Sequence, residues 1–176
     1  MKKTYIILTI LILLTLFIYI IYPNKDITLK EEPIPEEYTI TYSYGGGYGT
    51  YVQTLSKEII ISSDGTITIQ LTDKDLVDPI TYKEDKKEID KLYTYLIDNQ
   101  FKAIKKELTN KNVTDYYSSY ITIKYKGYER KIGGYAASLN KRYNKLETKI
   151  RDFIDEDKLE EFDNELKEYE KNISEN

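Results

Sequence analysis

The sequence has 176 residues, the length of one domain with short appendages, and a formal net charge of −4. It contains no cysteine and no histidine, which excludes disulfides, thiolate zinc sites and any Ser-His or Cys-His catalytic pair within the chain. All 30 acidic side chains follow residue 23. The remainder of the chain is therefore net acidic, and we expect no nucleic-acid binding through bulk charge.

Residues 5–22 form the longest apolar run, YIILTILILLTLFIYIIY, and carry no charge. A helix of this length spans roughly 27 Å, close to the ~30 Å hydrocarbon core of a bilayer. A cleaved signal peptide would have a shorter run and small residues near its end, whereas this run ends in IYIIYPNKD. We therefore expect residues 1–23 to be an uncleaved signal-anchor in the cell membrane. Lys2 and Lys3 precede the run, which favours a cytoplasmic N-terminus and an extracytoplasmic remainder.

Two regions of alternating residues predict β-structure after a polar, proline-bearing linker at residues 24–37. The run YTITYSY, which follows the linker, places tyrosine and isoleucine on one face and threonine and serine on the other. Asp64-Gly65 and Lys126-Gly127 each separate two β-rich runs, so each is predicted to be the turn of a hairpin.

Three segments have the helical spacing of apolar residues. The first covers residues 84–98, the second runs from about Leu139 to Ile154, and the third follows Asp155, whose side chain can cap it. Their apolar stripes are Ile89, Leu92, Tyr93, Leu96 and Ile97; Leu139, Tyr143, Leu146, Ile150 and Phe153; and Leu159, Phe162, Leu166 and Tyr169.

The predicted order of elements is β-β-β-α-β-β-α-α, which is typical of an α+β fold. We expect a mostly antiparallel sheet with helices on one face, preceded by the single transmembrane helix. The α+β domain is assigned to residues 38–154, and residues 155–176 are assigned to a charged C-terminal helix.

The stretch SYGGGYGTYV, residues 43–52, raises the question of a phosphate-binding glycine loop. A Walker loop continues with Lys and Ser or Thr into a helix, whereas Gly49 is followed by a β-rich run. The kinase loop G-x-G-x-x-G does not fit either, because its third glycine would fall on Thr50 or Val52. We interpret the glycines as a connection between strands.

The same loop is a candidate contact surface, because Tyr44, Tyr48 and Tyr51 flank its glycines. Tyrosine offers a large contact area at a small cost in conformational entropy. The threonine-rich face of the predicted sheet could likewise bind a glycan, although an ordinary solvated sheet face has the same pattern. We predict that the threonine-rich face is an ordinary solvated face and does not bind a glycan.

Carboxylates are the remaining source of chemistry. Asp73, Asp75 and Asp78 offer oxygen atoms to a calcium ion, but their spacing lacks the glycine that an EF-hand loop has at its sixth position. Paired carboxylates can hydrolyse glycosides without histidine, yet most acids here lie on predicted helix surfaces or in turns. The sequence therefore nominates no catalytic residue, no cofactor site and no metal site.

The layout resembles small exported prokaryotic domains with an FGTCP-like turn, an Asp-Gly hairpin, a helix with a Leu-and-Phe signature, a second hairpin and a closing helix. The corresponding residues are Gly49, Thr50 and Tyr51 in the turn, with tyrosine in the place of cysteine, Asp64 and Gly65 in the hairpin, and Leu92, Leu96 and Phe101 in the helix. The resemblance covers about residues 38–154. That family has no established activity, so the resemblance implies a fold and no reaction.

Three functions are compatible with these observations. The first is a membrane-anchored extracytoplasmic module that binds another envelope protein or a glycan. The second is a carboxylate-dependent hydrolase of envelope polysaccharide, which would be favoured by a close, buried pair of acids in a cleft. The third is a structural subunit that assembles through its last helix.

Overall fold

The computed structural model describes residues 33–46, 54–72 and 76–174. The expected signal-anchor, Tyr48 and Tyr51 of the contact loop, and Asp73 and Asp75 lie outside these residues, so the corresponding interpretations stay predictions. Of the helices in the described ranges, none combines the length and the apolar character that a membrane span requires.

The described residues form one six-stranded sheet in the order β4-β3-β2-β1-β5-β6. Every neighbouring pair of strands in that order is antiparallel, as the sequence predicted. The strands are β1, Tyr38–Gly45; β2, Lys57–Ser62; β3, Thr66–Leu71; β4, Ile80–Lys83; β5, Ser118–Tyr125; and β6, Tyr128–Tyr135.

The two predicted hairpin turns are confirmed. Gly65 lies between β2 and β3 with φ +93°, and Gly127 lies between β5 and β6 with φ +75°. A side chain is strained at such angles, which explains the glycine in both turns. Strand β4 is an addition to the predicted order, because its four residues are too few to establish an alternating pattern.

Three α-helices follow the predicted segments: α1, Lys86–Asp98; α2, Lys141–Arg151; and α3, Glu156–Ser174. Short 3₁₀ turns at Phe101–Ala103 and Ala137–Leu139 precede β5 and α2. Asp155 caps α3 as predicted, since its Oδ1 accepts the N–H groups of Asp157 and Lys158 at 3.0 and 3.3 Å.

The second helix, predicted from about Leu139 to Ile154, is shorter at both ends, since α2 covers Lys141–Arg151. The Oδ1 of Asn140 accepts the N–H groups of Arg142 and Tyr143, so this side chain caps α2 and fixes its start at Lys141. Leu139 falls in the preceding 3₁₀ turn, and 49% of its surface is exposed, so it does not belong to the apolar stripe.

The helices pack on one face of the sheet, as predicted, and their stripes join alternate strand residues in a single core. Helix α3 contributes to this core because Phe162 and Leu166 are fully buried. The buried strand residues other than glycine are Tyr38, Ile40 and Tyr42 in β1; Ile59 and Ile61 in β2; Ile67, Ile69 and Leu71 in β3; Ser119, Ile121 and Ile123 in β5; and Ile132 in β6.

The opposite face of the sheet carries the residues that alternate with this core. They include Thr41 of β1, which lies between Ile60 of β2 and Thr122 of β5 in the strand register, and all three are partly exposed. Thr68 and Thr81 share a hydrogen bond of 3.2 Å on the neighbouring strands. Partly exposed residues that alternate with the buried ones are typical of an antiparallel sheet with one solvated face.

Candidate functional site

A cavity of about 300 Å³ lies on the helix-covered side of the sheet, where the end of α2 and the start of α3 meet β1 and β2. Its volume is at the lower end of the range for small-molecule sites. The described residues that line it are Tyr42, Tyr44, Ile59, Arg151, Asp152, Ile154, Glu156 and Leu159.

The charged part of the lining comes from the break between two helices. Helix α2 ends at Arg151 and α3 begins at Glu156, so Arg151, Asp152 and Glu156 all lie at or next to the junction. Ile154 is buried within the junction. The N–H of Asp155 also donates to the hydroxyl of Tyr82 at 3.2 Å, which holds the junction against β4.

Tyr44, the described member of the predicted contact loop, is part of this lining and lies at the end of β1. Its ring stacks on that of Tyr42, with centroids 5.1 Å apart, and the Nζ of Lys57 lies 5.8 Å from its centroid. Lys57 in turn forms an ion pair with Asp163 of α3. Burial, and secondarily the Asp163 carboxylate, raises the pKa of Tyr44 to about 12. Its hydroxyl is therefore a neutral hydrogen-bonding group at physiological pH.

A buried carboxylate supports the wall of the cavity. Only 2% of Glu147 is exposed, and its Oε1 accepts hydrogen bonds from the hydroxyls of Tyr42 and Tyr117 at 2.8 and 3.4 Å. Such donors offset the cost of burying a carboxylate. Tyr143, also on α2, donates to the Oγ of Ser119 at 3.1 Å. The Tyr42 side chain is thus fixed by both its packing and its hydroxyl.

The sequence interpretation missed Glu147 and the charged lining. Position 147 lies four residues after Tyr143 and three before Ile150, so helical spacing places it on the buried stripe of α2. The buried carboxylate of Glu147 could therefore have been predicted from its position on this stripe. The places of Arg151, Asp152 and Glu156 in the lining could not be predicted in this way, because they depend on where α2 ends and α3 begins.

Two carboxylates, Asp152 and Glu156, line the same cavity, and both side chains are exposed. A hydrolase of the retaining or inverting type needs one acid whose pKa is raised by an apolar environment. Among the described residues, no group of three or more acids is placed to hold a metal ion. The charged side chains that line this cavity, Arg151, Asp152 and Glu156, are therefore all in contact with water.

We expect the stability of the domain to fall above about pH 10. Burial is the main cause that raises the pKa of Tyr38, Tyr42 and Tyr143, with nearby carboxylates adding to it at Tyr38 and Tyr42. A pKa raised by folding stabilises the fold below the unfolded pKa, about 10, and that contribution is lost as the pH rises towards the folded value. Melting temperatures between pH 7 and about pH 12 test this.

The matched variant for this titration is Tyr42→Phe, which has one ionisable hydroxyl fewer. Its melting temperature should fall less steeply above about pH 10 than that of the wild type. Tyrosinate absorbance that rises fully near pH 10 while circular dichroism stays native would contradict the buried tyrosine cluster.

Comparison of the sequence with protein-family models and with curated proteins finds no match to either.

Proposed function

We propose that the protein is a membrane-anchored extracytoplasmic binding module of the cell envelope. The uncharged run at residues 5–22 supports the anchor, and residues 34–176 form a separate compact unit that would lie outside the membrane. The observation that carries the binding role is the cavity, because an apolar floor and exposed charges of both signs converge on it.

A hydrolase of envelope polysaccharide is the second candidate, because Asp152 and Glu156 line one cavity. Their exposure supports binding over catalysis, since the hydrolase would be favoured by a close, buried pair of acids in a cleft. Under the binding proposal, the double variant Asp152→Asn/Glu156→Gln changes ligand affinity. Under the hydrolase proposal, it abolishes release of sugars from purified envelope polysaccharide.

The topology can be tested with cysteine labelling, because the natural chain has no cysteine. Lys126 is exposed in the turn between β5 and β6, so Lys126→Cys presents a thiol on the folded domain without disturbing the core. In protoplasts, a membrane-impermeant maleimide should label this thiol without permeabilisation, and the protein should remain in the membrane fraction.

Lys2→Cys is the matched control, because it precedes the apolar run. It should be labelled only after the membrane is permeabilised. The reverse pattern of labelling, or a soluble product of clipped mass, would overturn the anchored extracytoplasmic topology.

A further inference from the structure

The geometry of the cavity points to a ligand class, and this step rests on the proposed binding role. We propose that the cavity binds a small zwitterion with an apolar side chain, namely a free α-amino acid or a short peptide. In this arrangement the side chain enters the apolar floor, the carboxylate binds at Arg151, and the ammonium binds at Asp152 and Glu156.

The floor of the cavity has the chemistry to accept an apolar side chain. Its apolar lining comes from Ile59 of β2, Ile154 of the helix junction and Leu159 of α3, of which Leu159 keeps the most exposed surface. Transfer of an aliphatic side chain from water to such a surface is favourable by roughly fourfold in affinity for each methylene group that is fully buried.

Arg151 supplies the cation for the ligand carboxylate. Its side chain is exposed, and within the described ranges no carboxylate forms an ion pair with it. The nearby Lys57 is already engaged by Asp163. A planar guanidinium binds a carboxylate through two parallel hydrogen bonds, which fixes the ligand in one orientation.

Asp152 and Glu156 supply the anions for the ligand ammonium. No side-chain donor in the described ranges bonds to either carboxylate, whereas Asp155 between them uses its carboxylate to cap α3. The acceptors on this side of the cavity are thus available to a ligand. Charges of both signs at one opening favour a zwitterion over a simple anion or cation.

The aromatic residues argue against a sugar as the occupant. Sugar recognition commonly uses an open aromatic face, but the ring of Tyr44 is engaged by Tyr42 and by the ammonium of Lys57. The ring of Tyr42 is itself buried, with 1% of its surface exposed. The rings of the two tyrosines are therefore not free to stack on a sugar. The polar group that they present to a ligand is the hydroxyl of Tyr44.

Ligand-observed NMR titration of the full-length protein in lipid nanodiscs tests this proposal. L-leucine should bind saturably with a dissociation constant in the millimolar range or below, and at least tenfold more tightly than glycine. L-leucinamide lacks the carboxylate and N-acetyl-L-leucine lacks the ammonium, so each should bind about tenfold more weakly than L-leucine. L-leucyl-L-leucine distinguishes a peptide from a free amino acid.

Variants of the charged lining residues test separately which residue binds the carboxylate of the ligand and which residues bind its ammonium. Arg151→Gln should weaken L-leucine about tenfold and leave L-leucinamide unchanged, whereas Asp152→Asn/Glu156→Gln should weaken L-leucine and leave N-acetyl-L-leucine unchanged. Arg142→Gln on α2 and Asp157→Asn/Glu160→Gln on α3 are matched controls, since these residues are exposed and do not line the cavity. The controls should bind L-leucine as the wild type does.

Absence of saturable L-leucine and L-leucyl-L-leucine binding overturns the ligand assignment, as does binding that the cavity variants and the controls weaken equally. The cysteine labelling is independent of this result. If labelling places the domain outside the membrane and no zwitterion binds, the envelope location stands and the ligand class is wrong.

Discussion

Replacement of Phe162 by alanine is expected to lower the free energy of unfolding by about 3–5 kcal/mol, the range for a fully buried phenylalanine. Phe162 is completely buried in the core although it belongs to α3, a helix with mostly charged residues. The loss combines the transfer free energy of the ring with the cavity left between α3 and the sheet. Urea denaturation of residues 34–176, followed by circular dichroism, measures it.

The matched control lies on the same helix. Ile173 is 47% exposed, so Ile173→Ala should change the free energy of unfolding by less than about 0.5 kcal/mol. A Phe162→Ala cost below about 1 kcal/mol would show that α3 does not pack on the domain in solution. The cavity would then lose Glu156 and Leu159 from its lining, so this variant also tests the geometry of the candidate site.

Replacement of Leu96 by alanine is expected to cost about 2–5 kcal/mol. Leu96 has no exposed surface and lies with Ile89, Leu92 and Tyr93 on the buried face of α1. The same substitution at Leu139, which is 49% exposed, should cost less than about 1 kcal/mol. Equal losses at the two positions would mean that α1 presents a different face to the sheet.

The fold was predictable in the segments where apolar residues recur with the spacing of a strand or a helix. The alternation in β1 and the spacing of Leu92 and Leu96 in α1 directly reflect which side of each element is buried. Strand β4 was not predictable, because four residues between a proline and a helix cap carry too little pattern. The start of α2 was misplaced because Leu139 continues the apolar spacing by coincidence, while the cap of Asn140 decides the boundary.

The candidate site was less predictable than the fold. Tyr44 was identified from its place beside the glycines, but its partners Arg151 and Asp152 come from a distant part of the chain. Hydrophobic periodicity predicts single elements, whereas a cavity depends on how the ends of several elements meet. Glu147 is the exception, because a carboxylate on a buried helical stripe already implies hydrogen-bond donors in the core.

The central position of β1 has a consequence for biosynthesis. This strand pairs with β2 on one side and with β5 on the other, and β5 begins only at Ser118. A chain that emerges with its N-terminus first can form the β1–β4 half of the sheet while the second edge of β1 is still unpaired. Helices α2 and α3, which complete the core, emerge later still. During this interval the nascent domain exposes both an open strand edge and apolar surface, the two features that promote aggregation and recruit chaperones.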